Sequence, residues 1–195
     1  MNLPLNLGYK EVCDLIDHPS DAYWLPAIKK IASMHQQPTE KWIRIREGGN
    51  VIFRRDNLAI KLIPQNWSYQ GKAEIQSLGM LTEFLPVETP HLLHHGVLDG
   101  WIYLIISWLP GISLADVWNG MPYENKKIIV GEVGEFLDAL HQLPISTDTL
   151  QLFDWPDYHQ KLINGCFARH KQNQIPEGLL GQVEHYLSLS SDYFD

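Results

Sequence analysis

The chain reads as an α+β protein, with a small antiparallel sheet of five strands first and helices after. Three observations predict this. Between Lys41 and Ile106 apolar residues mostly recur at every second position, with turn residues between the runs. Beyond Ser107 the apolar spacing is that of helices, so strands precede helices along the chain. Within the sheet segment, Leu58-Ala59-Ile60-Lys61-Leu62-Ile63-Pro64 places one ammonium in an otherwise apolar strand. Alternation sets Leu58, Ile60 and Leu62 on one face and Ala59, Lys61 and Ile63 on the other. Desolvating an unpaired charge is costly, so Lys61 has to reach solvent, a carboxylate or an anionic ligand.

Taken in order, Tyr9 to Asp17 and Asp21 to His35 are two short helices broken at His18-Pro19. Ser20 is a suitable N-cap for the second, which carries Trp24, Ile28 and Ile31 on one side. Both are expected to pack outside the sheet, and neither offers chemistry. Trp42 to Arg46, Val51 to Arg55 and the Lys61 strand then form an antiparallel meander. Its first turn, Gly48-Gly49-Asn50, has two readings: a hairpin needing positive φ, or a flap whose backbone N–H groups cover phosphates. It has neither a GxGxxG nor a Walker A pattern. Arg44, Arg46, Arg54 and Arg55 read as solvated strand positions.

The stretch Lys72 to Leu85 is an amphipathic helix in which Glu74 shares the apolar stripe with Leu78, Leu81 and Leu85. Glu74 therefore faces inward, where it can meet Lys61; a residue near a helix N-terminus and a lysine closing an edge strand remain the plainer alternatives. After a loop bounded by Pro86 and Pro90, His91 to Leu98 is a strand, Asp99-Gly100 a strong hairpin signal, and Trp101 to Ile106 a continuous apolar run suited to a central strand. His91, His94 and His95 lack a carboxylate or fourth ligand at ligand-like spacing, so no metal is assigned to them. Ser107 to Gly111 leaves the sheet. Leu114 to Trp118 is a short helical piece, and Tyr123 to His141 a long helix with Ile129, Val133, Phe136 and Leu140 on one stripe. Asp154-Trp155-Pro156 opens a helix to about Lys171, and a last one runs from about Pro176 to Leu189.

Composition narrows the partners. The 195 residues hold 15 basic and 23 acidic side chains, a net charge of −8, which argues against nucleic-acid backbones and anionic membranes. Cys13 and Cys166 lie far apart without a CxxC, so neither a disulfide framework nor a zinc site is expected, and a reducing cytoplasm is. The start shows no signal-peptide pattern, and no apolar run reaches membrane-spanning length.

Together these segments resemble the aminoglycoside phosphotransferase family, the small-molecule branch of the protein-kinase-like fold, over roughly residues 40 to 145. Gly49-Asn50-Val51-Ile52-Phe53-Arg54 resembles the family's nucleotide-loop hairpin, Leu58-Ala59-Ile60-Lys61 its lysine strand, and Ala73-Glu74-Ile75 with Leu78 its glutamate helix. Ile105 to Gly111 resembles the linker between lobes, and Leu137 to Pro144 the first long helix of the second lobe. The resemblance implies N-terminal helices over 1–40, a nucleotide-binding N-lobe over 41–106, a linker at 107–111 and a partial helical C-lobe over 112–195. It further implies ATP between the lobes, with Lys61 on the α/β-phosphates, Glu74 holding the lysine, and Gly48, Gly49 and Asn50 covering the phosphates. Backbone groups of Ser107 and Leu109 would meet the adenine edge, and Ala59 and Ile106 would sandwich the base. The substrate implied is a hydroxyl of a small molecule.

One departure accompanies these matches. The family's catalytic-loop H-x-D-x-x-x-x-N and its later metal-binding aspartate have no counterpart among the 195 residues, since no histidine is followed by aspartate two positions on. The expectation is therefore a truncated phosphotransferase, inactive by itself, with Mg²⁺ used only by a full-length enzyme. The alternative is a non-catalytic nucleotide-binding or partner-binding module, which could pair with a separately encoded C-lobe.

Overall fold

The computed structural model describes residues 3–17, 20–46, 48–81, 85–143, 155–172 and 175–190. The chain divides into two compact units, Met1–Pro144 and Ile145–Asp195. The α+β class read from the sequence is observed. The first unit runs α1 (Tyr9–Ile16), α2 (Asp21–Met34), β1 (Ile43–Ile45), β2 (Val51–Arg55), β3 (Leu58–Ile63), α3 (Ser68–Leu81), β4 (Leu92–Leu98), β5 (Trp101–Ser107), α4 (Leu114–Val117) and α5 (Tyr123–His141). The predicted break at His18-Pro19 and the Asp154 cap lie outside the described residues.

The sheet is antiparallel throughout, in the order β1-β2-β3-β5-β4. The apolar run at Trp101 thus becomes an inner strand, with Trp101 to Ile105 all buried. Its hairpin with β4 turns at Asp99 (φ 49°) and Gly100 (φ 78°), two left-handed residues in succession as a two-residue hairpin requires. The N-terminal segment is tied to this hairpin: Asp99 accepts a hydrogen bond from the Leu3 N–H at 3.0 Å, and Trp101 Nε1 donates to the Pro4 carbonyl at 2.8 Å.

The two faces of the sheet bury different things. Against α1 and α2 pack Val51, Phe53, Ile60, Leu62, Trp101, Tyr103 and Ile105, joined with Val12, Trp24, Ile28 and Ile31 in one core. Against α3 the buried cluster is Ile63, Ile102 and Leu104, flanked by half-buried Ile75, Leu78 and Ile106. Arg44 departs from the solvated position expected of it. Its side chain is 5% exposed, donates to the Ile16 carbonyl, lies 3.8 Å from Asp21 and sits over the Trp24 ring. Burial lowers its pKa.

Helix α3 begins at Ser68, four residues before the predicted Lys72, and is described to Leu81 rather than Leu85. Gly71 is the reason the start was hidden: a β-carbon there would stand 2.9 Å from Ile102 Cδ1, so close packing on β5 requires the residue that lowers helix propensity. Helix α5 occupies the predicted residues, with Ile129, Phe136 and Leu140 half-buried and Val133 exposed. The second unit contains α6 (Trp155–Gln172) and α7 (Glu177–Ser190), which pack on each other. No described helix is long and apolar enough to cross a membrane.

Candidate functional site

The register of the sheet brings the predicted residues together. On the α3 side, Ile52, Lys61 and Leu104 form one row across β2, β3 and β5, and Arg54, Ala59 and Ile106 form the next. Rows two residues apart are about 7 Å apart. Lys61 Nζ lies 2.5 Å from Glu74 Oε2, with the two side chains 14% and 24% exposed. The inward turn of Glu74 comes from its place on α3, whose Ile75 and Leu78 seat that helix on the sheet.

A half-buried ion pair of this kind roughly breaks even in stability, because desolvation offsets the mutual attraction. Stability alone therefore gives no reason for an ammonium on this face. What the pair does provide is a lysine fixed in one direction, still partly open to solvent.

Toward the end of β5 the arrangement is denser. Ala59 is 1% exposed, its methyl too short to emerge between its neighbours across the strands, so the surface at that row is made by half-buried Ile106 and exposed Arg54. Ser107 closes the row: its N–H donates to the His91 carbonyl at 2.9 Å and its Oγ accepts from the His91 N–H at 2.8 Å. The Trp108 N–H donates to the Asn57 carbonyl at 2.8 Å. Leu109, beyond it, uses neither its N–H nor its carbonyl in a hydrogen bond among the described residues. Those two groups could meet the edge of a flat heterocycle.

Gly48 has φ 101°, so the turn demands glycine there, whereas a β-carbon at Gly49 would meet open space. Asn50 Oδ1 is buried without a hydrogen-bond partner among the described residues. As an acceptor it repels phosphate oxygens, so Asn50 can serve an anion only through its amide NH₂ or backbone N–H. Glu47, in the same turn, lies outside the described residues.

Of the three histidines His91, His94 and His95, His94 has an arrangement that the sequence did not reveal. His35, at the C-terminus of α2, stacks on His94 with centroids 4.3 Å apart, and its Nε2 lies 2.9 Å from the hydroxyl of buried Tyr103. The Tyr103 ring fills the space where a side chain at Gly96 would stand. Among the described residues no three His, Cys, Asp or Glu side chains are grouped so as to hold a metal ion.

A family model described as the phosphotransferase enzyme family matches residues 35–188. The match takes in all five strands and reaches past residue 145 into both helices of the second unit. No curated protein matches the chain.

Proposed function

The chain belongs to the phosphotransferase enzyme family, with its protein-kinase-like α+β fold, and from that premise we propose that residues 41–106 form a lobe that holds ATP against the α3 face of the sheet. The contact between Lys61 and Glu74 is the observation that carries this reading. Lys61 grips the α/β-phosphates and Glu74 aims it; Gly48, Gly49 and Asn50 cover the phosphates; Ser107 and Leu109 lie at the base edge, with Ile106 as its wall and Ala59 beneath. The distance of about 7 Å between the lysine row and the Ala59 row suits the reach from phosphate to base. Phosphoryl transfer depends mainly on positioning and charge neutralisation, which a clamped lysine and a glycine flap supply.

The acceptor in this reading is a hydroxyl of a small molecule in the cytoplasm. When bound, Mg²⁺ neutralises the charge developing on the phosphates. The described residues offer no carboxylate cluster for it. None of the nine histidines has an aspartate two residues on, so we place the proton-accepting aspartate and the metal carboxylates outside residues 1–195, and residues 1–195 alone bind nucleotide without transferring phosphate. The same lack favours, as a second reading, a non-catalytic nucleotide module that works with a separately encoded helical partner.

The test is thermal unfolding with and without Mg·ATP. Ligand at a hundred times its Kd adds about 2.7 kcal/mol of stability, which for a chain of this size raises Tm by several degrees. Lys61→Ala is expected to erase the shift. A shift that survives the substitution contradicts the role given to Lys61, and no shift in the parent chain contradicts nucleotide binding itself.

A further inference from the structure

Four arginines lie on or directly beside the strands of the meander, and three of them have carboxylate partners. Arg44 and Arg46 reach Asp21 at 3.8 and 2.7 Å, and Arg55 reaches Asp56 at 3.3 Å. Arg54 forms no ion pair among the described residues. Its guanidinium instead lies over the Trp108 ring, 5.1 Å from the centroid.

Its place in the register is the second observation. Arg54 is opposite Ala59, which is opposite Ile106, and all three stand on the face that carries Lys61. Trp108 follows Ile106 by two residues and is held at the β2–β3 turn by its bond to Asn57. Because Ala59 is covered, the wall at this row falls to the longer side chains on either side of it. Lys61 already has its charge balanced by Glu74, whereas Arg54 brings to the other row of the same face a cation with no carboxylate partner among the described residues.

Resting on the nucleotide reading above, we propose that Arg54, carried on Trp108, is a binding residue at the base end of the site, closing it toward the linker and contacting the base and ribose rather than the phosphates. A guanidinium over an indole keeps its N–H donors for other partners, so it can stack on a second flat ring or donate to ring nitrogens and ribose hydroxyls. The chemical class it selects is the nucleoside part of the ligand.

The experiment measures calorimetric affinities of the intact chain for ATP and for adenosine, which lacks phosphates. Arg54→Met is expected to weaken both by the same factor, about tenfold, as for a cation lost from a partly desolvated aromatic site. Arg54→Lys, which keeps a cation over Trp108, restores part of the loss. Lys61→Ala costs ATP far more than it costs adenosine. Loss of ATP affinity with adenosine unchanged overturns the proposal by making Arg54 a phosphate ligand, and unchanged affinity for both makes it a surface residue. If the parent chain binds neither compound, the nucleotide reading fails; binding by the parent with an indifferent Arg54→Met removes only the role of Arg54. Far-ultraviolet circular dichroism of each variant separates lost contact from lost fold.

Discussion

The two faces of the sheet are made from the same strands and serve different ends. Toward α1 and α2 the three inner strands contribute mainly apolar, buried side chains, Phe53 from β2, Ile60 and Leu62 from β3, Tyr103 and Ile105 from β5, and the helices answer with Trp24, Ile28 and Ile31; Arg44 of β1 is the charged exception, paired with Asp21. Toward α3 the alternate residues of those strands include Lys61 and Arg54, and the buried ones are Ala59, Ile63, Ile102 and Leu104. The first face has the composition that maximises burial. The second gives up apolar area for a half-buried ion pair and for an exposed arginine that, unlike Arg44, has no carboxylate partner among the described residues, choices that cost or at best neither gain nor lose stability and that on the nucleotide reading serve to hold a charged, flat ligand. On the nucleotide reading the difference divides stability and binding between faces through the two-residue period of β-structure, so one strand serves both without conflict.

That division can be broken from either side. Phe53→Ala removes a large, fully buried ring from the packed face and is expected to cost about 3–5 kcal/mol, read by urea unfolding. The paired replacement Lys61→Met with Glu74→Met is expected to change stability by about 1 kcal/mol or less, since apolar residues of similar volume replace an ion pair, while abolishing the ATP-dependent Tm shift. A loss comparable to that of Phe53→Ala would make the pair a structural device and remove the contrast. The smallest effect concerns pH. Burial, with the nearby His94 ring adding to it, lowers the pKa of His35 below its ordinary 6.5. The folded state therefore binds fewer protons than the unfolded chain, so His35 contributes stability above 6.5 that is lost as pH falls through the folded-state value. Tyr103, the other titratable group against it, has a raised pKa and stays neutral in that range. His35→Gln is expected to flatten the acid limb of the stability profile below pH 6.5; a limb unchanged by the substitution would place the acid sensitivity elsewhere.

Much of this division was legible before any coordinates. Alternation in Leu58 to Ile63 assigned the faces of β3 correctly, because a period of two leaves little choice once one face is apolar. The inward turn of Glu74 followed from its spacing to Leu78 in the same way. What alternation cannot give is the partner across the fold. Arg44 read as solvated because its cover comes from Asp21 and Trp24, twenty or more residues earlier. The His35–His94 stack and the Arg54–Trp108 contact were hidden for the same reason, each joining segments more than fifty residues apart. The start of α3 was misplaced because Gly71 lowers helix propensity locally while its lack of a side chain is what lets the helix meet Ile102.

The central claim is that the α3 face, and not the α1–α2 face, receives the nucleotide. Amide chemical shifts of the isotope-labelled chain, titrated with Mg·ATP, test it most directly. The account predicts that the perturbed amides are those of Gly48, Gly49, Asn50, Ala59, Lys61, Ser107 and Leu109, with Val12, Trp24, Ile28 and Ile31 unmoved. Perturbations gathered on the α1–α2 side, or none at saturating nucleotide, would contradict it.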